Sequence, residues 1–487
     1  MQLTDPTLLR DKALIGAQWC AADDGATLDV NDPATGERLG SVPDLGGAQT
    51  RRAIAAAEAA LPAWRALTGK ARGAVLRRWH DLIAENAEDL ALLMTRENGK
   101  PLAEARGEMQ YALSFVEWFS EEAKRVYGDV LPSTRSDQRL LAVRQPIGVC
   151  AAITAWNFPS ALVTRKVSPA LAAGCTVVLK PAEATPLSAL ALAELALRAG
   201  LPAGVLNVVT GRPAPIGEEL CANPTVRKLT FTGSTATGRL LMQQSAANIK
   251  KLSLELGGNA PFIVFDDADL DQAVEGLMQS KFRNAGQTCV CANRVLVQAG
   301  IADAFAARLA ERVAALKVGR GIDDNVEQGP LINRQALQKV DALVRDAVAQ
   351  GASALVGGTP HALGGSFYAP TLLTGITDAM QIAHEEIFGP VVALATFEEE
   401  ADAVRIANAS SAGLAAYFYA GSLDRVWRVM EALEYGMVGV NTGQISNEVG
   451  PFGGIKESGL GREGSRYGME EFLELKYACL AGRFAAL

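Results

Sequence analysis

Histidine is scarce in this sequence. Only His80, His361 and His384 occur among its 487 residues, and no Gly-x-Ser-x-Gly motif is present. The segment His384-Glu385-Glu386 does not continue into the His-Glu-x-x-His pattern of zinc proteases. These absences argue against a histidine-based catalytic triad, and we expect no metal site.

An excess of basic residues is also missing. The 46 Lys and Arg residues against 54 Asp and Glu residues give a formal net charge of −8. Because surfaces that bind nucleic acids or anionic lipids are normally basic, we expect neither as a partner. A small anionic ligand is still allowed, since a pocket can be locally positive within a negative protein.

Cysteines are few and odd in number, at Cys20, Cys150, Cys175, Cys221, Cys289, Cys291 and Cys479. This low density is not that of a disulfide scaffold and favours a reducing compartment. The N-terminus lacks a basic segment followed by an apolar core, and no apolar stretch reaches the about 18 residues that a membrane helix needs. We therefore expect a soluble, cytoplasmic protein.

The sequence does contain a regular alternation of two kinds of segment. Alanine-rich amphipathic stretches at residues 48–60, 71–95 and 102–125 predict helices, and short β-branched runs bounded by Gly, Pro or Asn predict strands. Four strand–helix units follow from residue 147, and a second series begins at residue 259. This pattern predicts α/β domains with doubly wound, parallel sheets.

Two glycine-rich segments are candidates for binding a phosphate. Gly459, Gly461 and Gly464 have the spacing G-x-G-x-x-G, but nothing strand-like precedes them, so we interpret this segment as a flexible turn. Gly233 and Gly238 instead lie between a predicted strand and a predicted helix, whose first N–H groups would face a phosphate. The residues after Gly238 are not those of a nucleoside triphosphatase, which favours a diphosphate; a tight strand–helix turn is the alternative.

Cys289 is the strongest candidate nucleophile. It follows a predicted helix in a loop of Gly, Gln and Thr, whereas Cys150 and Cys175 lie in apolar runs typical of a core. A thiol with a pKa of about 8.5 needs a base or a positive environment to attack at neutral pH. Glu255 ends an apolar strand before two glycines, so we predict a base with a raised pKa in a partly dry cleft. A structural role is the alternative for each residue.

Seven short motifs together reveal a resemblance. In chain order they are WNFP at 156–159, KP at 180–181, FTGS at 231–234, LELGG at 254–258, GQTC at 286–289, EEIFGP at 385–390 and PFGG at 451–454. From about residue 30 to residue 480 the chain resembles the NAD(P)-dependent aldehyde dehydrogenase superfamily. Longer strings such as KFRNAGQTCVCANR resemble its succinate-semialdehyde and glutarate-semialdehyde dehydrogenase branch.

The resemblance implies a covalent mechanism. The Cys289 thiolate would attack the aldehyde, and the side-chain amide of Asn157 with the backbone N–H of Cys289 would hold the resulting oxyanion. After hydride passes to a nicotinamide, Glu255 would activate the water that hydrolyses the thioester.

The resemblance also implies a cofactor site. The residues implied are Lys180 and Glu183 at the adenosine ribose, Gly233 and Ser234 at the pyrophosphate, Glu386 and Phe388 at the nicotinamide ribose and ring, and Trp156 and Gly257 beside them. NADP-using relatives tend to have a small residue where Glu183 stands. Because a carboxylate accepts from a ribose 2′-OH and repels a 2′-phosphate, we predict NAD as the preferred cofactor, with NADP as the alternative.

For the substrate, the resemblance places Arg165, Arg283 and Ser446 around a carboxylate. The alternative for each arginine is a structural salt bridge. Ala155 and Gln444 depart from the pattern of the branch, and a polar Gln444 indicates a longer or more polar substrate.

The predicted reaction is the oxidation of an acid-bearing ω-semialdehyde, similar to succinate semialdehyde, to the carboxylic acid. Three alternatives stay open: glutarate semialdehyde or another longer or more polar acidic aldehyde, a CoA-acylating reaction that would not need Glu255, and a non-catalytic binding or structural protein. Cys291 is either a spectator or a thiol that forms a disulfide with Cys289 under oxidant.

The resemblance finally implies an architecture of three parts. They are a Rossmann-type cofactor domain at 1–123 and 147–256, an α/β catalytic domain at 257–445, and a small β bridging element at 124–146 and 446–487. Within the bridging element, the strand-like segments 128–145 and 470–480 are expected to pair with each other or with another subunit. A homo-oligomer, a dimer or a tetramer, follows by analogy.

Overall fold

The computed structural model describes residues 2–482. Its α-helices are α1 (Gly47–Ala66), α2 (Gly69–Glu85), α3 (Ala87–Asn98), α4 (Leu102–Glu122), α5 (Ala161–Ala173), α6 (Pro186–Arg198), α7 (Pro213–Ala222), α8 (Thr235–Ser245), α9 (Leu270–Phe282), α10 (Ala302–Ala314), α11 (Arg334–Ala349), α12 (Glu400–Asn408), α13 (Leu423–Ala432) and α14 (Ser465–Glu470). Short 3-10 helices lie at Pro6–Leu8, Ala246–Asn248, Arg283–Gly286, Ala299–Ile301 and Gln381–Ala383.

The strands form two large sheets and three small ones. The strands of the first half are β1 (Ala13–Ile15), β2 (Gln18–Cys20), β3 (Thr27–Asn31), β4 (Arg38–Pro43), β5 (Asp129–Leu131), β6 (Gln138–Pro146), β7 (Val149–Ile153), β8 (Thr176–Lys180), β9 (Leu206–Val208), β10 (Val226–Thr232) and β11 (Lys251–Glu255). Those of the second half are β12 (Ala260–Val264), β13 (Ala292–Gln298), β14 (Ser353–Val356), β15 (Thr371–Thr374), β16 (Val391–Phe397), β17 (Ala412–Gly413), β18 (Ala415–Tyr419), β19 (Met437–Val440), β20 (Ile455–Lys456), β21 (Gly459–Leu460) and β22 (Leu473–Ala481).

The first large sheet has the order β2-β1-β9-β8-β7-β10-β11-β21. Its five central strands are parallel, and the chain runs outward from β7 to β9 on one side before it returns to β10 on the other. Residues of β7 alternate between two cores: Cys150 and Ala152 pack towards α5 and α6, and Val149, Ala151 and Ile153 towards α1 and α7. The strand order therefore reverses between β7 and β10, which is where doubly wound sheets bind ligands, at the carboxyl ends of the strands.

The second large sheet has the order β14-β15-β16-β13-β12-β18-β19, and all its strands except β14 run parallel to their neighbours. Helices α9 and α10 contribute to the core on one face, and α12 and α13 to the core on the other. The two series of strand–helix units predicted from the sequence are thus both present, and the α/β fold class is confirmed. The exact domain boundaries stay a prediction.

A three-stranded antiparallel sheet, in the order β22-β6-β5, lies apart from the two large sheets. All nine residues of β22 pair with β6, from Leu473 opposite Pro146 to Ala481 opposite Gln138. The first alternative given for the two strand-like segments, pairing with each other within one chain, is therefore confirmed.

Two expectations from the sequence were wrong in detail. The helix predicted at 71–95 is two helices, because Asn86 leaves the helical conformation and its side-chain amide donates to the carbonyl of Leu82 (2.8 Å). The segment interpreted as a flexible turn contains β21, which pairs with the end of β11. At Gly459 (φ 139°) a Cβ atom would lie 1.8 Å from the carbonyl oxygen of Leu254, so the close approach of these two strands requires glycine.

None of the helices in the described part of the chain is long and apolar enough to cross a membrane.

Candidate active site

Two adjoining cavities share Cys289. The large cavity, of about 260 Å³, is lined by residues that include Ala155, Trp156, Asn157, Gly233, Ser234, Glu255, Gly257, Cys289, Glu386 and Phe388. The small cavity, of about 30 Å³, is lined by residues that include Tyr111, Asn157, Phe158, Arg165, Arg283, Thr288, Cys289, Ser446 and Phe452. Most of the residues singled out in the sequence thus converge on one region, with the Cys289 thiol where the two cavities meet.

Cys289 lies in an unusual loop. Asn284, Ala285 and Gly286 all have positive φ angles (52°, 54° and 74°), and residues other than glycine rarely adopt such angles. Buried polar contacts hold this conformation: Glu104 accepts from the N–H of Asn284 (2.8 Å), and the Gln287 side chain donates to the Asn284 carbonyl (3.0 Å). Backbone strain kept in this way is typical of functional loops.

The Cys289 thiol is held in its protonated form in the absence of further charges. Burial raises its pKa to about 12, and Glu386 and Glu255 contribute in the same direction, whereas Arg165 and Arg283 oppose the shift. Attack on a carbonyl therefore needs a proton acceptor or an added positive charge near the sulfur.

Asn157 is fixed from several sides. Its carbonyl accepts from Lys100 Nζ (2.8 Å) and from Asn284 Nδ2 (2.9 Å), and Lys100 is itself in a buried ion pair with Glu108 (2.5 Å). Its own Nδ2 donates to the Gln287 carbonyl (3.1 Å), which uses one of the two amide hydrogens and leaves the other for an oxyanion. The sequence motifs identified Asn157, but nothing local in the sequence indicated that Lys100 and Glu108 support it.

Glu255 ends β11 and is 2 % exposed. Burial and the nearby Glu463 raise its pKa well above the usual range, although Arg165 and Lys166 act against this, so the raised pKa predicted from the sequence is confirmed in direction. Its Oε2 atom is buried without a hydrogen-bond partner in residues 2–482. A carboxyl group in this setting is suited to accept a proton.

Glu463 is a buried residue that sequence reasoning missed. It lies in the glycine-rich segment that was set aside, and it forms ion pairs with Lys166 and with Arg165 (2.5 Å). These two cations lower the pKa of Glu463 despite its burial. The only signal in the sequence was a charged residue among closely spaced glycines.

The start of α8 forms one wall of the large cavity. Ser234 caps the helix by accepting from the Thr237 N–H (3.2 Å), and the N–H groups of the first turn lack partners within the helix. At Gly257 a Cβ atom would lie 2.9 Å from Glu386 Oε2 and 3.4 Å from Thr235 Oγ1. The bare backbone there and the free N–H groups fit the diphosphate of a dinucleotide.

Glu386 and two aromatic rings also line the large cavity. Glu386 Oε1 accepts from the Gly258 N–H (3.1 Å), and burial raises the pKa of this carboxyl group to about 7. Trp156 and Phe388 form an edge-to-face pair with their ring centroids 5.5 Å apart. A carboxylate and aromatic faces are groups that bind a ribose and a planar heterocycle, so the nicotinamide roles proposed for Glu386 and Phe388 are compatible with the geometry.

Lys180 and Glu183 lie at the end of β8 and do not line the large cavity. Lys180 is buried, and its ammonium group is 3.2 Å from the half-exposed carboxylate of Glu183. Burial lowers the pKa of Lys180, and Glu183 opposes this shift. The lysine charge at this position is therefore already partly balanced by the protein.

The two arginines of the small cavity differ. Arg165 is almost fully buried in its ion pair with Glu463 and stacks over Phe452, 4.2 Å from the ring centroid. Arg283 stacks over Phe158 (5.1 Å) and has no ion pair in residues 2–482. The structural salt bridge considered as an alternative thus exists for Arg165 but not for Arg283.

Three further residues from the sequence analysis occupy different places. Ala155 lines the large cavity, whereas Gln444 is exposed and lines neither cavity. Cys291 is buried, lines neither cavity, and donates through Sγ to the carbonyl of Lys281 (3.3 Å). Burial raises the pKa of Cys291, and all seven thiols of the chain are free.

The sequence and fold also match those of known proteins. The sequence model of the aldehyde dehydrogenase family matches residues 19–478. The chain is 61 % identical to a glutarate-semialdehyde dehydrogenase of Pseudomonas aeruginosa, covering 99 % of this chain and 100 % of that protein. It is 60 % identical to an NADP-specified succinate-semialdehyde dehydrogenase of Escherichia coli over 99 % and 100 % of the two chains.

A crystal structure of succinate-semialdehyde dehydrogenase from Burkholderia pseudomallei superimposes with a TM-score of 0.98 at 60 % identity, covering 99 % of this chain and 100 % of that one. With the two sheets, the helix start beside Gly233 and the half-buried Cys289, these matches show that the chain belongs to the aldehyde dehydrogenase family.

Proposed function

We propose that this aldehyde dehydrogenase oxidises an ω-semialdehyde with an acidic head group to the corresponding acid, with NAD as oxidant. The observation that carries the proposal is the small cavity, in which the Cys289 thiol shares one enclosed space with Arg165, Arg283 and Ser446. A small molecule with an aldehyde at one end and an anion at the other could place its aldehyde at Cys289 and its anion at the arginines.

The first step is addition of the thiol to the aldehyde. The Cys289 sulfur forms a bond to the carbonyl carbon, the thiol proton leaves to a base, and the carbonyl oxygen becomes an oxyanion. The remaining amide hydrogen of Asn157 and the N–H of Cys289, which no described residue accepts, are the donors for that oxygen.

The large cavity is where the dinucleotide would bind, with Ser234 and Gly233 at its diphosphate and Glu386 and Phe388 at its nicotinamide end. When bound, the dinucleotide accepts the hydride that leaves the substrate carbon. The contribution of the chain is to hold the tetrahedral carbon at Cys289, where the two cavities meet, and to exclude bulk water from it.

The last step is hydrolysis of the thioester on Cys289. Glu255 accepts a proton from a water molecule while the water oxygen attacks the acyl carbon, and the carbon–sulfur bond then breaks to release the acid and the thiolate. Glu255 lines the large cavity beside Cys289 and its buried carboxyl group has a raised pKa, which suits this role.

We infer NAD rather than NADP from Glu183. Its carboxylate is paired with Lys180 (3.2 Å), so the lysine charge is not free to attract a 2′-phosphate, and the carboxylate itself would repel one. The Escherichia coli relative is named for NADP, and equal-concentration turnover with the two cofactors tests whether this chain differs.

The length of the substrate is the second part of the proposal. The similar proteins include both succinate- and glutarate-semialdehyde dehydrogenases, and the exposed position of Gln444 removes the argument that this residue selects a longer chain. We rank succinate semialdehyde first and glutarate semialdehyde second, and kcat/KM values for C4 to C6 semialdehydes decide between them.

One assay tests the reaction class. NADH formation from succinate semialdehyde should proceed without CoA, release free succinate, and vanish in Cys289→Ala. A strict requirement for CoA would show the acylating alternative instead, and an inactive wild type that still binds NAD would show a non-catalytic protein.

We also infer a homo-oligomer. The nine-residue strand β22 is the open edge of the small sheet, and its apolar side chains Leu475 (63 % exposed) and Tyr477 (60 % exposed) face outward, as does Val130 on β5 (78 %). Exposed apolar edge strands of this length are normally covered by another chain. Sedimentation velocity should show a dimer or a tetramer, and Leu475→Glu should shift the distribution towards monomer.

The chemistry of the site supports the cytoplasmic location inferred from the sequence. Cys289 acts only as a reduced thiol, and a compartment that keeps thiols reduced provides this condition.

A further inference from the structure

We propose that Tyr111 is a specificity-determining residue of this enzyme, whose hydroxyl donates a hydrogen bond to the anionic head group of the aldehyde. The inference rests on the proposed function and deepens it, because it adds a neutral donor to the two arginines and Ser446.

Tyr111 reaches the site from a part of the chain that carries none of the motifs. It lies in the middle of α4 (Leu102–Glu122), and its side chain lines the small cavity together with Cys289, Arg165 and Arg283. Its ring packs edge-to-face against Phe115 with the centroids 4.8 Å apart. The ring is therefore held in place by packing, so the hydroxyl group is presented at a defined position.

The hydroxyl group of Tyr111 is buried, and although Arg165 lies within reach as a donor to its oxygen, its O–H has no acceptor in residues 2–482. Buried hydroxyl groups are nearly always paired, because losing their hydration without replacement costs free energy. Phenylalanine would fill the same space without this cost. A tyrosine at such a position is explained if a ligand supplies the missing acceptor.

The charges around Tyr111 define the chemistry of that ligand. Arg165 and Arg283 are both close enough to influence its ionisation. Guanidinium groups only donate, so neither arginine can accept the phenol hydrogen. Burial raises the pKa of Tyr111 more than the arginines lower it, so the phenol stays protonated and acts as a donor at neutral pH. An anion placed between the arginines is the acceptor that all three groups share.

Two other hydroxyls that lack a partner in the described residues line the same cavity. Thr288 directly precedes Cys289, and Thr232 directly precedes Gly233. Their positions in the chain associate them with the reacting carbon and the dinucleotide. Tyr111 thus carries the hydroxyl without an acceptor that lies with the arginines.

The test is the variant Tyr111→Phe, assayed with succinate semialdehyde and with butanal, a neutral aldehyde of the same carbon number. For succinate semialdehyde we expect KM to rise and kcat/KM to fall about tenfold or more, as for the loss of a hydrogen bond to a charged group. For butanal we expect kcat/KM to stay within about twofold. Inhibition by succinate, which carries the same head group, should weaken by a similar factor.

The matched control is Tyr368→Phe. The Tyr368 hydroxyl is also buried, beside Asp341, but it lies in the core between α11 and the second sheet and lines neither cavity. The kcat/KM values of Tyr368→Phe for both substrates should equal those of the wild type. Thermal melting of both variants shows whether either is destabilised, and a change in the preference between the two substrates that occurs only in Tyr111→Phe is then not a general stability effect.

The outcomes separate this proposal from the proposed function. If the wild type prefers succinate semialdehyde over butanal and Tyr111→Phe keeps the full preference, the role of Tyr111 is overturned while the function stands. Equal losses on both substrates would likewise overturn it, because they indicate a general structural effect. If the wild type shows no preference for the acidic aldehyde, the proposed function itself fails.

Discussion

The two cavities that meet at Cys289 differ in the groups that line them. The wall of the large cavity includes exposed backbone at Gly233, at Gly257 and at the start of α8, together with side chains such as Trp156 and Glu386. Most of these residues lie at or directly after the ends of β7, β10 and β11. The small cavity is formed mainly by side chains from separate parts of the chain, which include α4, α5, the segment from Arg283 to Val290 and the loop at Ser446. Backbone cavities suit a constant cofactor, whereas side-chain cavities allow the substrate to vary.

This difference predicts separable effects of mutation. Changes at the large cavity should alter the binding of the dinucleotide and the rate of thioester hydrolysis for every aldehyde. Changes at the small cavity should alter the choice between acidic and neutral aldehydes. The following variants test that separation, in order of decreasing effect.

The largest effect is expected for Glu255→Gln. Loss of the base should lower kcat by about 100- to 10,000-fold for acidic and neutral aldehydes alike, because the thioester is the same on Cys289. Rapid mixing should still show a burst of NADH equal to the enzyme concentration, since hydride leaves before hydrolysis. A missing burst would contradict the assignment of Glu255 to the last step alone.

The same variant has a consequence for pH dependence. A general base must be ionised, and burial raises the pKa of Glu255, so the hydrolysis rate of the wild type should fall as the pH decreases through that raised pKa. The acid limb of the kcat profile should be absent in Glu255→Gln. An unchanged limb would assign it to another group, such as Glu386, whose pKa is raised to about 7 by burial.

The next largest effect is expected for Arg283→Ala. This arginine has no ion pair in residues 2–482, so its removal leaves no buried partner behind, and kcat/KM for succinate semialdehyde should fall about 10- to 100-fold. The value for butanal should change little, and the KM for NAD should stay the same. Equal losses on both aldehydes would remove the distinction between the cavities.

Arg165→Ala provides a contrast to Arg283→Ala. Because Arg165 is buried in an ion pair with Glu463, its loss removes one of the two cations that balance this carboxylate, and Lys166 remains as the other. We expect the free energy of unfolding to fall by about 1–3 kcal/mol. We therefore expect a lower melting temperature for Arg165→Ala and an unchanged melting temperature for Arg283→Ala.

A smaller effect is expected for Glu183→Ser. Removal of the carboxylate frees Lys180 to meet a 2′-phosphate, and the ratio of kcat/KM for NADP over NAD should rise about fivefold or more, since two charges about 4 Å apart in water interact by about 1 kcal/mol. The preference among aldehydes should stay unchanged. A ratio that does not move would show that Glu183 does not select the cofactor.

The smallest effect on basal activity is expected for Cys291→Ala. Cys291 lines neither cavity, so kcat/KM should stay within about twofold. If a disulfide with Cys289 forms under peroxide, inactivation of the wild type should be reversed by dithiothreitol, and Cys291→Ala should lose that reversibility. Reversible inactivation that persists in the variant would rule out this disulfide.

The comparison between the cavities also explains how far sequence reasoning reached. Gly233 and Glu255 were identified from local patterns, because each stands at the end of a predicted strand, whereas Ser234 was implied by the resemblance of its motif. Tyr111 and Glu108 were not, because an amphipathic helix such as α4 gives no sign of which buried residue faces a ligand, and Lys100, just before that helix, was missed as well.

Glu463 shows the same limit more sharply. The spacing of Gly459, Gly461 and Gly464 is that of a dinucleotide-binding motif, but the neighbouring residues do not predict the strand that such a motif needs. These neighbours gave no indication of the contacts that Glu463 makes. The actual partner of Glu463 is Lys166, which is 297 residues away in the chain. Only the pairing of β21 with β11 brings this carboxylate beside Glu255.

The sequence by itself determined the α/β class and the two series of strand–helix units, and it predicted the nucleophile and the base, since periodicity and turn residues act over a few positions. The tertiary structure alone decided which arginine is paired, which hydroxyl lacks an acceptor, and how Asn157 is held. Those properties depend on contacts between residues far apart in the chain, and such contacts exist only once the two sheets and the helices between them have packed together.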